Sequence, residues 1–211
     1  MNRENKDFFL TPYGLTKDFK YDADAFARER FFSHFFEYQN FITHMFTYDN
    51  LPEEIEENFI ENRAAKAREL FQSGYNCCQS VVLAFSELID TDTKTLASLT
   101  SGFGGGFGRL REVCGTVSGM TFISGLISPA DDPSIMDARK ANYSLVQKFA
   151  SEFRSINGSI VCAELLGLKP KSNPEPPMPS ERTADYYKKR PCAELVEIAA
   201  KIVATEIVER A

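Results

Sequence analysis

The feature that most constrains the fold is a glycine-rich segment joined to an apolar helical pattern. Residues 101–128 read SGFGGGFGRLREVCGTVSGMTFISGLIS, with glycine at positions 102, 104, 105, 106 and 108. Because glycine costs backbone entropy in helices and strands, the first part predicts an irregular loop. After Cys114, the small residues Gly115 and Gly119 share a helical face with Phe122, which allows another backbone to approach closely. We therefore expect a buried central helix with a thiol in its first turn.

The composition is that of an ordinary globular chain that can bury a sizeable core. Its 211 residues are 43% hydrophobic and 26% charged, with a formal net charge of −6 at pH 7. An acidic chain without a basic cluster argues against nucleic acid or an anionic membrane as partner. No apolar run reaches membrane-spanning length, and the polar start lacks a signal-peptide core. We therefore expect a cytoplasmic protein without a membrane span.

Apolar residues recur every three to four positions through most of the chain, and no clear period-two alternation is present. This pattern predicts an all-α fold, a compact multi-helix bundle with an aromatic-rich N-terminal helical extension. We expect residues 1–52 to form an arm and an aromatic helix, and residues 53–211 to form an all-helical domain with four key cysteines. The sequence NPEPPMPS at residues 173–180 predicts a proline-rich surface loop. Caps and breakers place helix starts or ends near Pro52, Gln72, Asn76, Thr91, Leu99, Pro133, Asn157, Ser159 and Pro191.

The N-terminal part is rich in phenylalanine, since ten of the 18 phenylalanines lie before residue 47. Residues 1–21 predict an irregular arm, and a helix is expected from Asp22 to about residue 47. So apolar a helix face must cover a core or a second subunit. Closed twofold pairing is the commonest way to cover such a face, so we predict a homodimer whose interface includes residues 31–46.

Four of the five cysteines fall where helices are predicted to begin, namely Cys77, Cys114, Cys162 and Cys192. A helix N-terminus carries about half a positive charge and unpaired N–H donors, which stabilise a thiolate. If the four helix starts converge, they form a pocket suited to a thiolate-ligated metal centre. Cys78 lies on an apolar helical stripe and is expected to be a packing residue. The odd number and wide spacing of the cysteines favour metal binding or redox chemistry over a disulfide framework.

Four motifs occur in order along the chain: GYNCCQSVVLAF, GFGGGFGRLREVCGTVSG, GSIVCAELLG and PCAELVEIAAKIV. At these motifs the chain resembles the family of putative redox-active proteins named for the C_GCAxxG_C_C signature, over about residues 60–207. Thr116 stands where alanine is usual, and Cys78 stands where alanine commonly follows the first cysteine. The four family cysteines correspond to Cys77, Cys114, Cys162 and Cys192.

The resemblance also implies a class of cofactor. The family shares its cysteine domain with split-Soret cytochromes, which are dimeric haem proteins with an iron–sulfur centre beside the haems. This chain contains no C-x-x-C-H sequence, which excludes covalent c-type haem. The resemblance therefore implies a cluster or metal held by the four cysteines without haem.

Three functions remain open on these observations. The first is electron transfer or redox sensing by an iron–sulfur cluster of the [2Fe–2S] type, working with a redox partner protein. Such a cluster with four thiolates has a net charge of about −2, which helix N-termini and the nearby Arg109 and Arg111 would offset. Backbone N–H groups at Gly105 and Gly106 would approach its sulfurs. The alternatives are metal-free thiol–disulfide chemistry and a structural zinc site, both disfavoured because the chain has no C-x-x-C pair.

Overall fold

The computed structural model describes residues 9–11, 14–16, 58–169 and 175–210. The chain divides into two compact units, Met1–Phe41 and Ile42–Ala211. The aromatic helix expected from Asp22 onward, and with it the predicted dimer interface at residues 31–46, lies outside the described residues. The boundary expected between residues 52 and 53 also lies there and stays a prediction.

In the first unit the described residues form a short β-hairpin. β1 (Phe9–Thr11) and β2 (Gly14–Thr16) pair antiparallel, with Leu10 opposite Leu15. The prediction of an irregular arm over residues 1–21 is therefore wrong for these two strands. Three-residue strands are too short to show a period of two in sequence, so the hydrophobic pattern could not reveal them.

In the second unit the described residues form eight α-helices, and the all-α prediction is confirmed. Short 3₁₀ turns at Ser86–Leu88 and Ser101–Phe103 follow α2 and α3. The helices are α1 (Phe59–Gln72), α2 (Cys77–Leu83), α3 (Thr93–Leu99), α4 (Gly115–Ile127), α5 (Met136–Asn157), α6 (Cys162–Leu165), α7 (Ala184–Lys189) and α8 (Cys192–Arg210).

Two helix assignments differ from the sequence prediction. α5 begins at Met136 and not at Pro133, because the side chain of Asp132 closes a local turn in which it accepts a hydrogen bond from Ser134 N at 2.8 Å. α7 was not predicted, because its six residues are too few to show a helical period. Its cap is the hydroxyl of Thr183, which accepts a hydrogen bond from the backbone of Tyr186.

The C-terminal helix α8 lies at the centre of the unit and packs against α1, α2, α4 and α5. Residues on several of its faces are buried, and most of them are small or β-branched, which lets the neighbouring helices approach closely. None of the helices in the described ranges is both long and apolar enough to cross a membrane. The buried residues of α8 include Leu195, Val196, Ala199, Ala200, Val203, Ala204 and Ile207.

The predicted close approach of another backbone to α4 is confirmed. A Cβ atom added at Gly119 would lie 2.8 Å from Cβ of Val81 and 3.1 Å from the carbonyl oxygen of Cys78. A Cβ atom at Gly115 would lie 3.0 Å from the sulfur of Cys77. These glycines therefore set the distance between α2 and α4, and they bring Cys77 against the start of α4.

Candidate functional site

The four cysteines singled out from the sequence all lie at helix starts. Cys77, Cys162 and Cys192 are the first residues of α2, α6 and α8, and Cys114 directly precedes α4 as its N-cap. This placement confirms the pattern predicted from the sequence. Each of these helices therefore directs its N-terminal end toward a cysteine.

A reciprocal hydrogen-bond pair fixes the first turn of α2. The side chain of Asn76 accepts hydrogen bonds from Cys78 N and Gln79 N, both at 3.0 Å. In return, Gln79 Oε1 accepts a hydrogen bond from Asn76 N at 2.9 Å. This capping box was only half visible in the sequence, where Asn76 was expected as the cap. It holds Cys77 in a defined orientation.

Cys114 and Cys162 are tied together by the backbone on either side of them. Val113 and Val161 form an isolated antiparallel bridge. Cys114 N donates a hydrogen bond to the carbonyl of Ile160 at 2.8 Å, and Cys162 N donates one to the carbonyl of Glu112 at 2.7 Å. Two cysteines that are distant in sequence are therefore held side by side without a disulfide.

All four cysteines line one cavity of about 310 Å³. Three of the four residues predicted to assist them, Gly105, Arg109 and Arg111, line the same cavity. The fourth, Gly106, packs behind it, because a Cβ atom at this position would lie 2.8 Å from Cβ of Cys162. The structure therefore brings the sequence-predicted site residues together around one space.

The glycine-rich loop has an unusual backbone. Five consecutive residues, 105–109, have positive φ angles, and Arg111 has a sixth at 67°. Phe107 and Arg109 are among these five, and a left-handed backbone costs a non-glycine residue about 1–2 kcal/mol. Residues with strained backbone cluster at functional sites. The loop is held in part by a hydrogen bond from Gly108 N to the carbonyl of Gly102 at 2.8 Å.

The two arginines of this loop have a carboxylate partner that the sequence analysis missed. Oε2 of Glu175 accepts hydrogen bonds from Arg109 Nη2 at 3.0 Å and from Arg111 Nε at 3.1 Å. A third nitrogen, Arg111 Nη1, lies 3.9 Å from the sulfur of Cys162. Arg111 is thus beside a cysteine as predicted, but part of its charge is offset by Glu175. The separation of more than 60 residues explains why no sequence pattern linked them.

The remaining nitrogens of Arg109 hold the proline-rich segment, residues 175–180, at the cavity. Arg109 Nε donates to the carbonyl of Pro176 at 3.0 Å, and Nη1 lies 3.4 Å from Oγ of Ser180. Pro177, Pro179 and Ser180 line the cavity. Arg109 therefore fastens this segment, and the sequence-based expectation that it also offsets cofactor charge stays a prediction.

Two further arginines, one on each side of α7 in the sequence, line the cavity and were not expected from the sequence. Arg182 donates a hydrogen bond to the carbonyl of Phe71, and its guanidinium carbon lies 4.5 Å from the centre of the Phe71 ring. Arg190 lies over the ring of Tyr186 at 4.9 Å. Among the described residues, the cavity lining contains no aspartate or glutamate. The only signal in the sequence is the alternation of Arg, Tyr and Arg around α7.

Burial raises the pKa of three of the cavity thiols. It raises the pKa of Cys192 to about 12, with a further contribution from the charge of Cys77. Burial also raises the pKa of Cys114 and of Cys162, although a hydrogen bond from Arg111 opposes the change at Cys162. Since a buried thiol is a poor nucleophile, formation of thiolates here requires a compensating cation.

Thr116 and Cys78, the two departures from the family signature, lie in the core near the site. Oγ1 of Thr116 lies 3.1 Å from the sulfur of Cys114, so the extra hydroxyl contacts a cavity cysteine. Cys78 is 1% exposed and does not line the cavity. Burial, followed by the charge of Cys77, raises its pKa to about 12.

Within the described residues, no group of three or more His, Cys, Asp or Glu side chains is arranged to hold a metal ion. All five cysteines are free thiols. The assignment of the four cysteines as ligands therefore stays a prediction.

The described residues of the second unit form a helical fold in which four helix-start cysteines line one arginine-rich cavity. The family model described as "Putative redox-active protein (C_GCAxxG_C_C)" matches residues 75–206, which is more than half of the chain. The chain belongs to this family, and the resemblance inferred from its motifs is confirmed. The matched range contains all four cavity cysteines and the glycine-rich loop. Comparisons with curated proteins and with solved structures give no match.

Proposed function

We propose that the protein is a redox protein that holds an iron–sulfur cluster of the [2Fe–2S] type on Cys77, Cys114, Cys162 and Cys192, for electron transfer or redox sensing. The observation that carries the proposal is that these cysteines, from four separate helix starts, line one cavity. Four thiolates are the common ligand set of such clusters, and the bound cluster would supply one-electron chemistry.

The spacing of the cysteines along the chain supports a cluster more than a zinc ion. A structural zinc site usually draws two of its ligands from one short C-x2–4-C sequence, and the chain contains none. A two-iron cluster distributes its four thiolates over two metal atoms and therefore accepts a wider arrangement. Rotation about one side-chain bond also moves each sulfur within the cavity.

The charges around the cavity support an anionic centre. The N-terminal ends of α2, α4, α6 and α8 meet the four cysteines, and Arg111 reaches the sulfur of Cys162. Gly106 allows the loop backbone to lie against Cys162 without a clash. These groups stabilise thiolates that burial otherwise disfavours, and metal binding supplies the remaining positive charge.

Thiol–disulfide chemistry is supported less well. Burial raises the pKa of three cavity thiols, which lowers the thiolate fraction that such exchange needs. The observation in its favour is that the four thiols line one cavity, which places them around one small space.

The assembly and location that we propose rest on the sequence. A homodimer formed through residues 31–46 would cover the aromatic face, and a cytoplasmic location would keep the thiols reduced. Light scattering on the full chain and on a chain starting near Asn50 tests the first point. A dimeric full chain and a monomeric shortened chain are expected; a dimeric shortened chain would contradict the assignment.

The cofactor proposal is tested by anaerobic purification followed by iron, acid-labile sulfide and zinc analysis with a visible absorption spectrum. We expect about two irons and two sulfides per chain and an oxidised spectrum that bleaches on reduction. Cys77→Ala should lower the iron content, whereas the matched neighbour Cys78→Ala should leave it unchanged. Equal losses in both variants would show that the ligand assignment is wrong. One zinc without sulfide would favour the structural site.

A further inference from the structure

Arg190 differs from the other arginines of the cavity because it has no polar partner among the described residues. The residue is half-buried and lines the cavity, and its guanidinium carbon lies 4.9 Å from the centre of the Tyr186 ring. In the described part of the chain it donates no hydrogen bond and pairs with no carboxylate. The five N–H donors of this fixed, planar group therefore have no acceptor among the described residues.

The other three arginines are already engaged. Arg109 and Arg111 donate to Glu175, and Arg182 donates to the carbonyl of Phe71. No acidic side chain among the described residues lines the cavity, so nothing there offsets Arg190. The cavity thus carries a surplus of positive charge although the whole chain has a formal net charge of −6.

An unpaired guanidinium in a partly desolvated cavity loses hydrogen bonds to water, and no group of the described residues replaces them. Its planar set of donors matches the oxygens of a carboxylate, sulfate or phosphate group. Stacking on Tyr186 holds the group in place, which lowers the entropy cost of ligand binding. We propose that the cavity binds a small anion through a group of oxygen atoms, with Arg190 as its main contact, beside Cys162 and Cys192.

Position and size support this site. Arg190 lines the same cavity as Cys162 and Cys192, and it precedes Cys192 by two residues. The hydroxyl-bearing Ser180 and Tyr186 line the same cavity and can add hydrogen bonds to an anion. Its volume of about 310 Å³ is at the lower end of the range for small-molecule sites. The proposal does not depend on the cofactor, because it concerns the metal-free protein as well.

The test uses the full-length, reduced, metal-free protein and iodoacetamide, a neutral reagent that the cavity charge does not attract. Alkylation of Cys162 and Cys192 is followed separately by peptide mass spectrometry, in sodium sulfate or sodium malonate against sodium chloride at constant ionic strength. We expect sulfate, malonate or both to slow these two reactions severalfold and saturably. Protection by sulfate alone would identify a tetrahedral oxyanion, and protection by malonate alone would identify a carboxylate.

Arg190→Gln should abolish the protection, and Arg190→Lys should weaken it, because a lysine keeps the charge but not the planar fork. The matched control is Arg154→Gln, which removes an exposed arginine near the end of α5 that does not line the cavity and should leave protection intact. The unfolding temperature gives a second readout. It should rise saturably with the concentration of the protecting anion in the wild type, and at low anion concentration it should not rise in the lysine variant. Absence of saturable protection in the wild type, or equal protection in Arg190→Gln, would overturn the proposal. Iron analysis on separate samples keeps this outcome distinct from the cofactor test.

Discussion

The contact between Glu175 and the glycine-rich loop predicts how access to the cysteine cavity is controlled. Glu175 holds both Arg109 and Arg111, and Arg109 in turn holds the proline-rich segment at residues 175–180. The side chains of Glu175, Arg109 and Arg111 are 12%, 19% and 11% exposed. Such pairs are screened less by solvent than surface ion pairs are. Loss of the carboxylate charge should therefore release the segment.

The magnitude follows from the hydrogen bonds. Glu175→Gln keeps the shape of the side chain but removes the negative charge that pairs with two guanidinium groups, which themselves stay charged. Each arginine pair that loses the charge of its acceptor weakens by about 1 kcal/mol, so the two pairs together lose about 2 kcal/mol. A loss of about 2 kcal/mol raises by about thirtyfold the population in which residues 175–180 are detached from the glycine-rich loop.

The assay is alkylation of the reduced, metal-free protein under conditions in which opening is fast relative to the chemical step, so that the rate reports the open population. The cavity cysteines of Glu175→Gln should react about thirtyfold faster than those of the wild type. Cys78, which does not line the cavity, should keep its rate. Glu61→Gln is the control, because it breaks the exposed pair with Lys201 elsewhere on the molecule. Unchanged rates, or an equal increase at Cys78 that reports global unfolding, would refute the reasoning.

Two further predictions concern stability. Gly119→Ala should lower the free energy of unfolding by about 1–3 kcal/mol, because the added Cβ would lie 2.8 Å from Cβ of Val81. The control is Gly125→Ala in the same helix, where an added Cβ meets nothing within 4 Å. This variant should be neutral or should stabilise the protein by up to about 1 kcal/mol. Urea unfolding of both variants measures this, and equal effects would contradict the close-packing account. The metal-free protein should also lose stability as the pH rises from about 9 to about 12. Burial, with the charge of Cys77, raises the pKa of Cys78 and of Cys192 to about 12 in the folded protein, whereas a cysteine thiol of the unfolded chain has a pKa near 9. The stability that comes from these two protonated thiols is fully present below pH 9. Urea unfolding at several pH values should show a smaller loss of stability with rising pH for Cys78→Ala than for the wild type. The same pH dependence in both proteins would exclude a contribution from Cys78.

The cysteine positions were predictable because their signal is local. Asn76 is a good cap and Pro191 a good first residue, so Cys77 and Cys192 could be placed at helix starts from their immediate neighbours. Gly119 likewise shows its role through its spacing on one helix. Such features depend on a few adjacent residues and on helical periodicity, and the structure agrees with them.

The charges around the site were not predictable because they depend on distant segments. Arg109 and Arg111 were singled out for their position before Cys114, but Glu175 reaches them from the proline-rich segment. Nothing in the sequence shows that both arginines have positive φ angles, at 75° and 67°, since arginine does not favour that conformation. The left-handed backbone of the loop directs their side chains in a way that a glycine count alone cannot predict.

These charges explain why an acidic protein can have a basic cavity. Arg109, Arg111, Arg182 and Arg190 line it, and Glu175 is the carboxylate that binds two of them while not itself lining the space. If every guanidinium is charged, the four arginines and Glu175 sum to about +3, which exceeds the charge of about −2 expected for an oxidised [2Fe–2S] centre with four thiolates. One positive charge is therefore left for either an added electron or a bound anion. Arg190 has no polar partner among the described residues, so the same side chain should influence both the proposed redox centre and the proposed anion site.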